Sequence, residues 1–177
     1  MIKGEKVDLK PFSPEDHEFL YKWNNDPEYT GKYEPHEPVT RKELLEWLQE
    51  DKPGQHWYII QTKKGQKIGQ MVTRNQKNNT IQIGYRVTPP ARNNGHCTAA
   101  VITLINHHFL NLTTNRIKAE ANPGNKASIR VLEKTGFTQT GYKEKAIEIN
   151  GVWMGGAIYI LQRSDWLKAY RRAHPRY

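Results

Sequence analysis

Hydrophobic and polar positions along the chain change period from segment to segment, and the changes mark the elements. Val7 and Leu9 alternate with Asp8 and predict an opening strand that ends at Pro11. Ser13, with Asp16 three residues on, caps a helix whose inward positions are Leu20 and Trp23, with His17 at its edge; Asp26-Pro27 ends it. Residues 28–39 read as a loop rich in proline, tyrosine and glutamate. Thr40 with Glu43 opens a second helix through Leu44, Leu45, Trp47 and Leu48, which Pro53-Gly54 stops. Trp57–Thr62 and roughly Gln66–Arg74 read as strands about the turn Lys63-Lys64-Gly65, and Asn75–Asn79 as a polar turn.

The segment 80–110 carries the most information. Ile81, Ile83, Tyr85 and Val87 alternate with Gln82, Gly84 and Arg86 in a strand that Pro89-Pro90 halts. A polar run, Arg92-Asn93-Asn94-Gly95, leads into an apolar helix bearing Val101, Ile102, Ile105, Phe109 and Leu112. Ile117, Ala119 and Ala121 mark another strand, broken by Asn122-Pro123-Gly124. Asn125 caps the next helix, Gly136 closes it in a left-handed turn, and Phe137 folds back onto Leu132. Strands over 138–149 and 152–162 flank Asn150-Gly151, a strong hairpin signal. Ser164 and Asp165 open a last, basic helix.

With no repeat and no linker, these elements predict one α+β domain over residues 1–177. The 177 residues suffice for a core, and 36% hydrophobic content predicts a thin one under a polar surface. No apolar run approaches the roughly 18 residues of a membrane span, and MIKGEKVDLKPF lacks the apolar stretch of a signal peptide, so we expect a cytoplasmic protein without a membrane partner. One cysteine excludes an internal disulfide and a cysteine-based zinc site. His107 and His108 have no third ligand at a useful spacing, so no metal is expected. A net charge of +9 favours polyanionic partners, either nucleic acid or a phosphate-rich cofactor.

Candidate chemistry begins where the strand of 80–87 meets its loop. A strand, a glycine-containing loop and a helix start make an anion site, because the first helical turn has N–H groups without partners and carries the positive end of the dipole. Gly95 lets the backbone approach a bulky anion, and Arg92 adds charge. Asn125 and Ser128 lie three apart, on one helix face near its N-terminus. Gly84, a glycine inside a strand, marks a bulge or the close approach of another chain.

Arg92-x-x-Gly95-x-Cys97 followed by Asn125-x-x-Ser128-x-x-Val131-Leu132-Glu133-Lys134-x-Gly136-Phe137 resembles the GNAT superfamily of acyl-CoA-dependent N-acetyltransferases. The similarity is greatest to its ribosomal-protein N-terminal (RimJ/RimL-like) branch. The motifs cover about 84–137, and the order of elements matches over nearly the whole chain. The resemblance implies a mixed, mostly antiparallel sheet of about seven strands, splayed in the middle and flanked by about four helices. It implies acetyl-CoA as co-substrate, with the diphosphate on Arg92, Asn93, Asn94, Gly95, His96 and Cys97. The pantetheine would run along the strand ending at Val87, near Asn122, Asn125 and Ser128.

An amine would attack the thioester directly. A backbone N–H near Tyr85 or Arg86 would hold the oxyanion, and Ser128 would protonate the departing thiolate. Glu34, His36 and Glu37 of the loop 28–39 would bind the acceptor and relay its proton; Gln82 lies at the strand position facing it, and Trp153 either walls the acceptor pocket or sits in the core. The acceptor would be a protein N-terminus or a small-molecule amine.

Three departures qualify this. Leu132 stands where many members carry a proton-donating tyrosine, Gln82 stands where a glutamate is common, and Cys97 replaces glycine or alanine. Leu132 and Gln82 keep open a second reading, a non-catalytic acyl-CoA-binding module. A third, nucleic-acid binding, rests on the charge and on the tail WLKAYRRAHPRY, but the basic residues are scattered and no RNA motif is present, so nucleic acid is expected only through a ribosomal substrate. A homodimer is compatible with the sequence.

Overall fold

Side chains at Ile59 and Ile60 enter different cores, and this divides the molecule. Ile60 joins Val7, Leu9, Met71, Ile83 and Val87 on one face of a sheet, and Ile59 joins Leu20, Trp23, Tyr29 and Leu44 on the other. Successive residues of a strand point to opposite faces, so both faces of this strand are covered. The computed structural model describes residues 1–175; Arg176 and Tyr177, the end of the basic tail, lie outside the described residues.

In chain order the elements are β1 (Val7–Pro11), α1 (His17–Asn24), α2 (Pro27–Thr30), α3 (Arg41–Gln49), β2 (Gln55–Thr62), β3 (Lys67–Gln76), β4 (Thr80–Val87), α4 (His96–Asn111), β5 (Arg116–Ala121), α5 (Lys126–Lys134), β6 (Thr138–Ile149), β7 (Val152–Gln162) and α6 (Arg163–Ala173). The seven strands form one sheet in the order β1-β2-β3-β4-β5-β7-β6. Among the described residues only β4 and β5 run parallel; the other neighbours are antiparallel. The crossover between the parallel pair is α4, whose Val101, Leu104, Ile105 and Phe109 bury into the main core together with Ile117, Ala119 and Leu132. Helices α1, α2 and α3 supply the second core. No helix among the described residues is long and apolar enough to cross a membrane.

The α+β architecture and the splayed seven-stranded sheet agree with the sequence reading. Six α-helices, rather than about four, flank the sheet among the described residues. The helix missed by sequence is α2, a four-residue turn at the start of the expected loop. Asp26 begins it by accepting the Glu28 N–H at 2.8 Å, Pro27 supplies a fixed φ, and Tyr29 is driven into the second core. Two of the apolar residues read into α4 lie outside the core: Ile102 is 43% exposed, and Leu112, 43% exposed, follows the helix as its cap. Ala100 and His108 bury in that helix instead. Strand β3 runs on to Gln76, and the turn is made by Asn78 and Asn79 with φ of 58° and 50°. Asn150 and Gly151, with φ of 50° and 78°, form the expected hairpin turn.

Candidate active site

The site opens where the parallel pair separates. Strands β4 and β5 are in register from Thr80↔Arg116 to Ile83↔Ala119 and no further. Beyond that point β4 stays with β3 as far as Val87, while β5 stays with β7 as far as Ala121. Gly84–Val87 and Glu120–Ala121 therefore form the two lips of a gap. Backbone groups facing the gap lack the ladder partner that the rest of each strand has. Gly84 lies on one lip, and a Cβ there would sit 3.3 Å from Val72.

The gap leads to the head of α4. Val87, nearly buried, ends β4; Thr88 donates its N–H to the Ile68 carbonyl at 2.8 Å, and Pro89–Ala91 turn the chain. Asn93 and Gly95 adopt φ of 59° and 72°, a reversal that favours asparagine and glycine. The first bond of α4 joins the Ala99 N–H to the Gly95 carbonyl at 3.0 Å. The amides of His96, Cys97 and Thr98 precede that bond and point out of the helix end. His96 Nδ1 pairs with the Ala91 carbonyl at 3.1 Å and Asn94 Nδ2 donates to the Arg92 carbonyl at 2.9 Å, so both side chains hold the loop in shape. Cys97 is half-buried, and burial pushes its thiol up to about 11, so it stays neutral.

Arg92 does not point freely into the loop. Its guanidinium donates to the backbone carbonyls of Glu28 and Tyr29 in α2. Lys6, just before β1, donates to the Asn94 carbonyl at 2.5 Å, and its Nζ lies 3.6 Å from where a Cβ on Gly95 would stand. No local pattern pointed to Lys6 here, because 88 residues separate it from Asn94.

The α5 side of the gap is built by two asparagines. Asn122 Oδ1 accepts the Gly124 N–H at 2.8 Å and tightens the loop after β5. Asn125 Oδ1 accepts the Ser128 N–H at 3.1 Å and caps α5. Ser128, in the first turn, meets Tyr85 of β4: the phenol oxygen lies 3.3 Å from both its Oγ and its carbonyl oxygen. Burial raises the Tyr85 phenol above its ordinary value. Leu132 is fully buried in the core, one turn farther on.

On the opposite face a strap of chain, α2 and residues 31–36, connects the two sides. Arg92 ties its start to the β4–α4 loop. The Tyr33 hydroxyl donates to the Gly124 carbonyl at 2.7 Å, beyond the other lip. Glu34 pairs with Arg86 of β4 at 3.7 Å. His36 is exposed, with Nδ1 3.2 Å from the Thr30 hydroxyl rather than bonded to Glu34 or Glu37. Gln82 stands in register with Lys118, at the last paired stretch before the gap. Glu120, on the β5 lip, holds Lys118 at 2.7 Å and Lys143 at 2.8 Å, and these lysines keep its carboxyl below the usual range against the opposing effect of burial. Trp153 is 50% exposed on the β6–β7 hairpin near its turn, so it is not the core residue that was the alternative expectation. Tyr33, Arg86 and Glu120 had no spacing signal in the sequence, because their partners come from other elements. Among the described residues no group of three or more His, Cys, Asp or Glu could hold a metal ion.

A parallel pair that parts, ending at a helix head with unpartnered amides, is the arrangement that the motifs imply. Comparison with known proteins bears on it directly. The model of the acetyltransferase (GNAT) domain matches residues 6–138. The chain is 36% identical over 86 residues to the "Probable N-acetyltransferase YjcK" of Bacillus subtilis, a match spanning 49% of this chain and 48% of that one. It is 23% identical over 168 residues to the N-acetyltransferase YnaD of the same organism, covering 93% and 98% of the two chains. The spermidine N-acetyltransferase of Vibrio cholerae, solved with CoA and spermine, shares the fold with a TM-score of 0.80 at 17% identity, over 92% of this chain and 98% of that one. The chain belongs to the acetyltransferase (GNAT) family of acyl-CoA-dependent N-acetyltransferases.

Proposed function

We propose that this chain, acting as one catalytic domain, transfers an acetyl group from acetyl-CoA to a primary amine by direct attack through a tetrahedral intermediate. The observation that carries this reading is the gap between Gly84–Val87 and Glu120–Ala121, which runs up to the amides of residues 96–98. Those amides, the turn at Asn93–Gly95 and the charge of Lys6 suit a diphosphate, which needs donors and a positive potential. Arg92 has five N–H donors and can add to them while keeping its α2 carbonyls. The free edge of β4 suits an extended pantetheine, which would pair with it as an added strand does. Val87, Asn122 and Asn125 border that path.

When bound, the thioester supplies an activated acyl carbon. A backbone N–H of Tyr85 or Arg86 on the open side of β4 stabilises the oxyanion, and the Ser128 hydroxyl gives a proton to the leaving thiolate. The acceptor enters from the strap face, between Glu34, His36 and Gln82 on one side and the exposed Trp153 on the other. Glutamates on that face favour a cationic amine. His36, exposed and hydrogen-bonded to the Thr30 hydroxyl, can take the proton that the ammonium sheds.

An acceptor panel with free thiol as the readout tests the proposal. Polyamines, amino sugars and peptides with free N-termini are offered with acetyl-CoA. Amine-dependent thiol release, reduced in Ser128→Ala, supports acetyl transfer. CoA binding with no thiol release from any amine would favour the non-catalytic reading that Leu132 and Gln82 keep open.

A further inference from the structure

Leu132 is fully buried and carries no proton, so the α5 side of the gap has to supply one from elsewhere. Ser128 is the hydroxyl in the first turn of that helix. A serine alone is a poor acid, and its hydroxyl rotates unless something holds it. The hydrogen bond at Ser128 comes from across the gap. Tyr85 lies two residues beyond Ile83, the last β4 residue paired with β5. Its ring packs against the main core, and its oxygen is 3.3 Å from Ser128 Oγ and 3.3 Å from the Ser128 carbonyl. Tyr85 thus joins the β4 lip to the helix on the other side through one residue.

We infer that Tyr85 is a positioning residue whose phenol completes the proton donor, acting through Ser128; this rests on the acetyl-transfer reading above. When the carbon–sulfur bond of the tetrahedral intermediate breaks, its electron pair goes to sulfur. The Ser128 Oγ–H proton moves to that sulfur and gives the free thiol. The Tyr85 O–H proton moves to Ser128 Oγ, so no alkoxide is left. The new amide nitrogen releases its proton to solvent, and Tyr85 regains one from solvent as the cleft empties, which closes the balance. Burial keeps the Tyr85 proton in place until then.

The test compares wild type, Tyr85→Phe, Ser128→Ala and the double variant with an amine that the panel identifies. Tyr85→Phe keeps the ring and removes the hydroxyl. Its kcat should fall roughly 10- to 100-fold, up to the lower end of what acid catalysis contributes because Ser128 remains, with the KM for acetyl-CoA nearly unchanged. The double variant should be no slower than Ser128→Ala alone, because the two groups act as one unit. A Tyr85→Phe kcat equal to wild type would overturn the inference, and so would effects that multiply in the double variant. A second arm follows the slow hydrolysis of acetyl-CoA without any amine, where the same thiolate leaves. It keeps the Tyr85 question open to measurement even if the amine reading fails. If Tyr85→Phe does not fold, a proton inventory of wild type in mixed light and heavy water decides. A curved plot supports two protons in flight, and a straight one refutes the relay.

Discussion

His108 gives the sharpest quantitative prediction. Its side chain lies within α4, towards the end opposite the proposed diphosphate site, and is 6% exposed. The Thr114 hydroxyl pairs with Nδ1 at 3.0 Å. Burial, with smaller contributions from His107 and His56, lowers its pKa from 6.5 to about 4. The group is neutral in the fold, while the unfolded chain takes up a proton near 6.5. Stability from the neutral form is therefore complete above the unfolded value and is lost as the pH falls from 6.5 towards 4. At about 1.4 kcal/mol for each tenfold change, the loss amounts to about 3 kcal/mol. For a chain of this size that corresponds to a fall in Tm on the order of 10 °C. The carboxylates whose pKa values are lowered act from about 4.5 downward, so Glu43 and Glu120 overlap only the acid end of this window and Asp8, at about 2, acts below it. Thermal melts from pH 7 to pH 4 on wild type and His108→Gln check the claim. Wild type should lose stability steeply between pH 6.5 and 4, and the variant should start lower and show a flatter slope. Parallel curves would refute the assignment of that proton to His108.

Three further predictions concern the site and its supports. Gly95→Val places a β-branched residue at φ 72°, costing about 1–2 kcal/mol, and fills the approach to the helix head. The KM for acetyl-CoA in steady-state assays should rise about tenfold or more. Tyr33→Phe removes the 2.7 Å bond to Gly124, worth about 1 kcal/mol; the KM for the amine should rise about 5-fold while that for acetyl-CoA stays unchanged. Asp16 is fully buried and takes Lys67 at 2.7 Å, Lys10 at 3.4 Å and the Ser13 N–H at 2.9 Å. Asp16→Ala leaves these cations without their partner and should cost about 3–5 kcal/mol in chemical denaturation, with kcat preserved well below the melting temperature.

Strand periodicity and capping residues made the sheet legible. Ile81, Ile83 and Val87 bury as their alternation requires, and Thr40 with Glu43 forms the reciprocal cap their spacing implies. The turn leading into α4 was legible because asparagine and glycine tolerate the positive φ that Asn93 and Gly95 adopt. The strap was not. Tyr29 and Tyr33 sit in a polar, proline-rich stretch with no period, and only tertiary contacts with Arg92 and Gly124 decide their roles. For the same reason Tyr85 read as a backbone contributor. Alternation showed that it faced the core, but not that its hydroxyl would meet Ser128, 43 residues away.

Amide hydrogen exchange with and without CoA tests the central claim most directly. Binding should slow exchange at residues 94–98 and along Gly84–Val87, with smaller changes elsewhere on the sheet. Saturating CoA that leaves the amides at the head of α4 exchanging as fast as before would contradict the account.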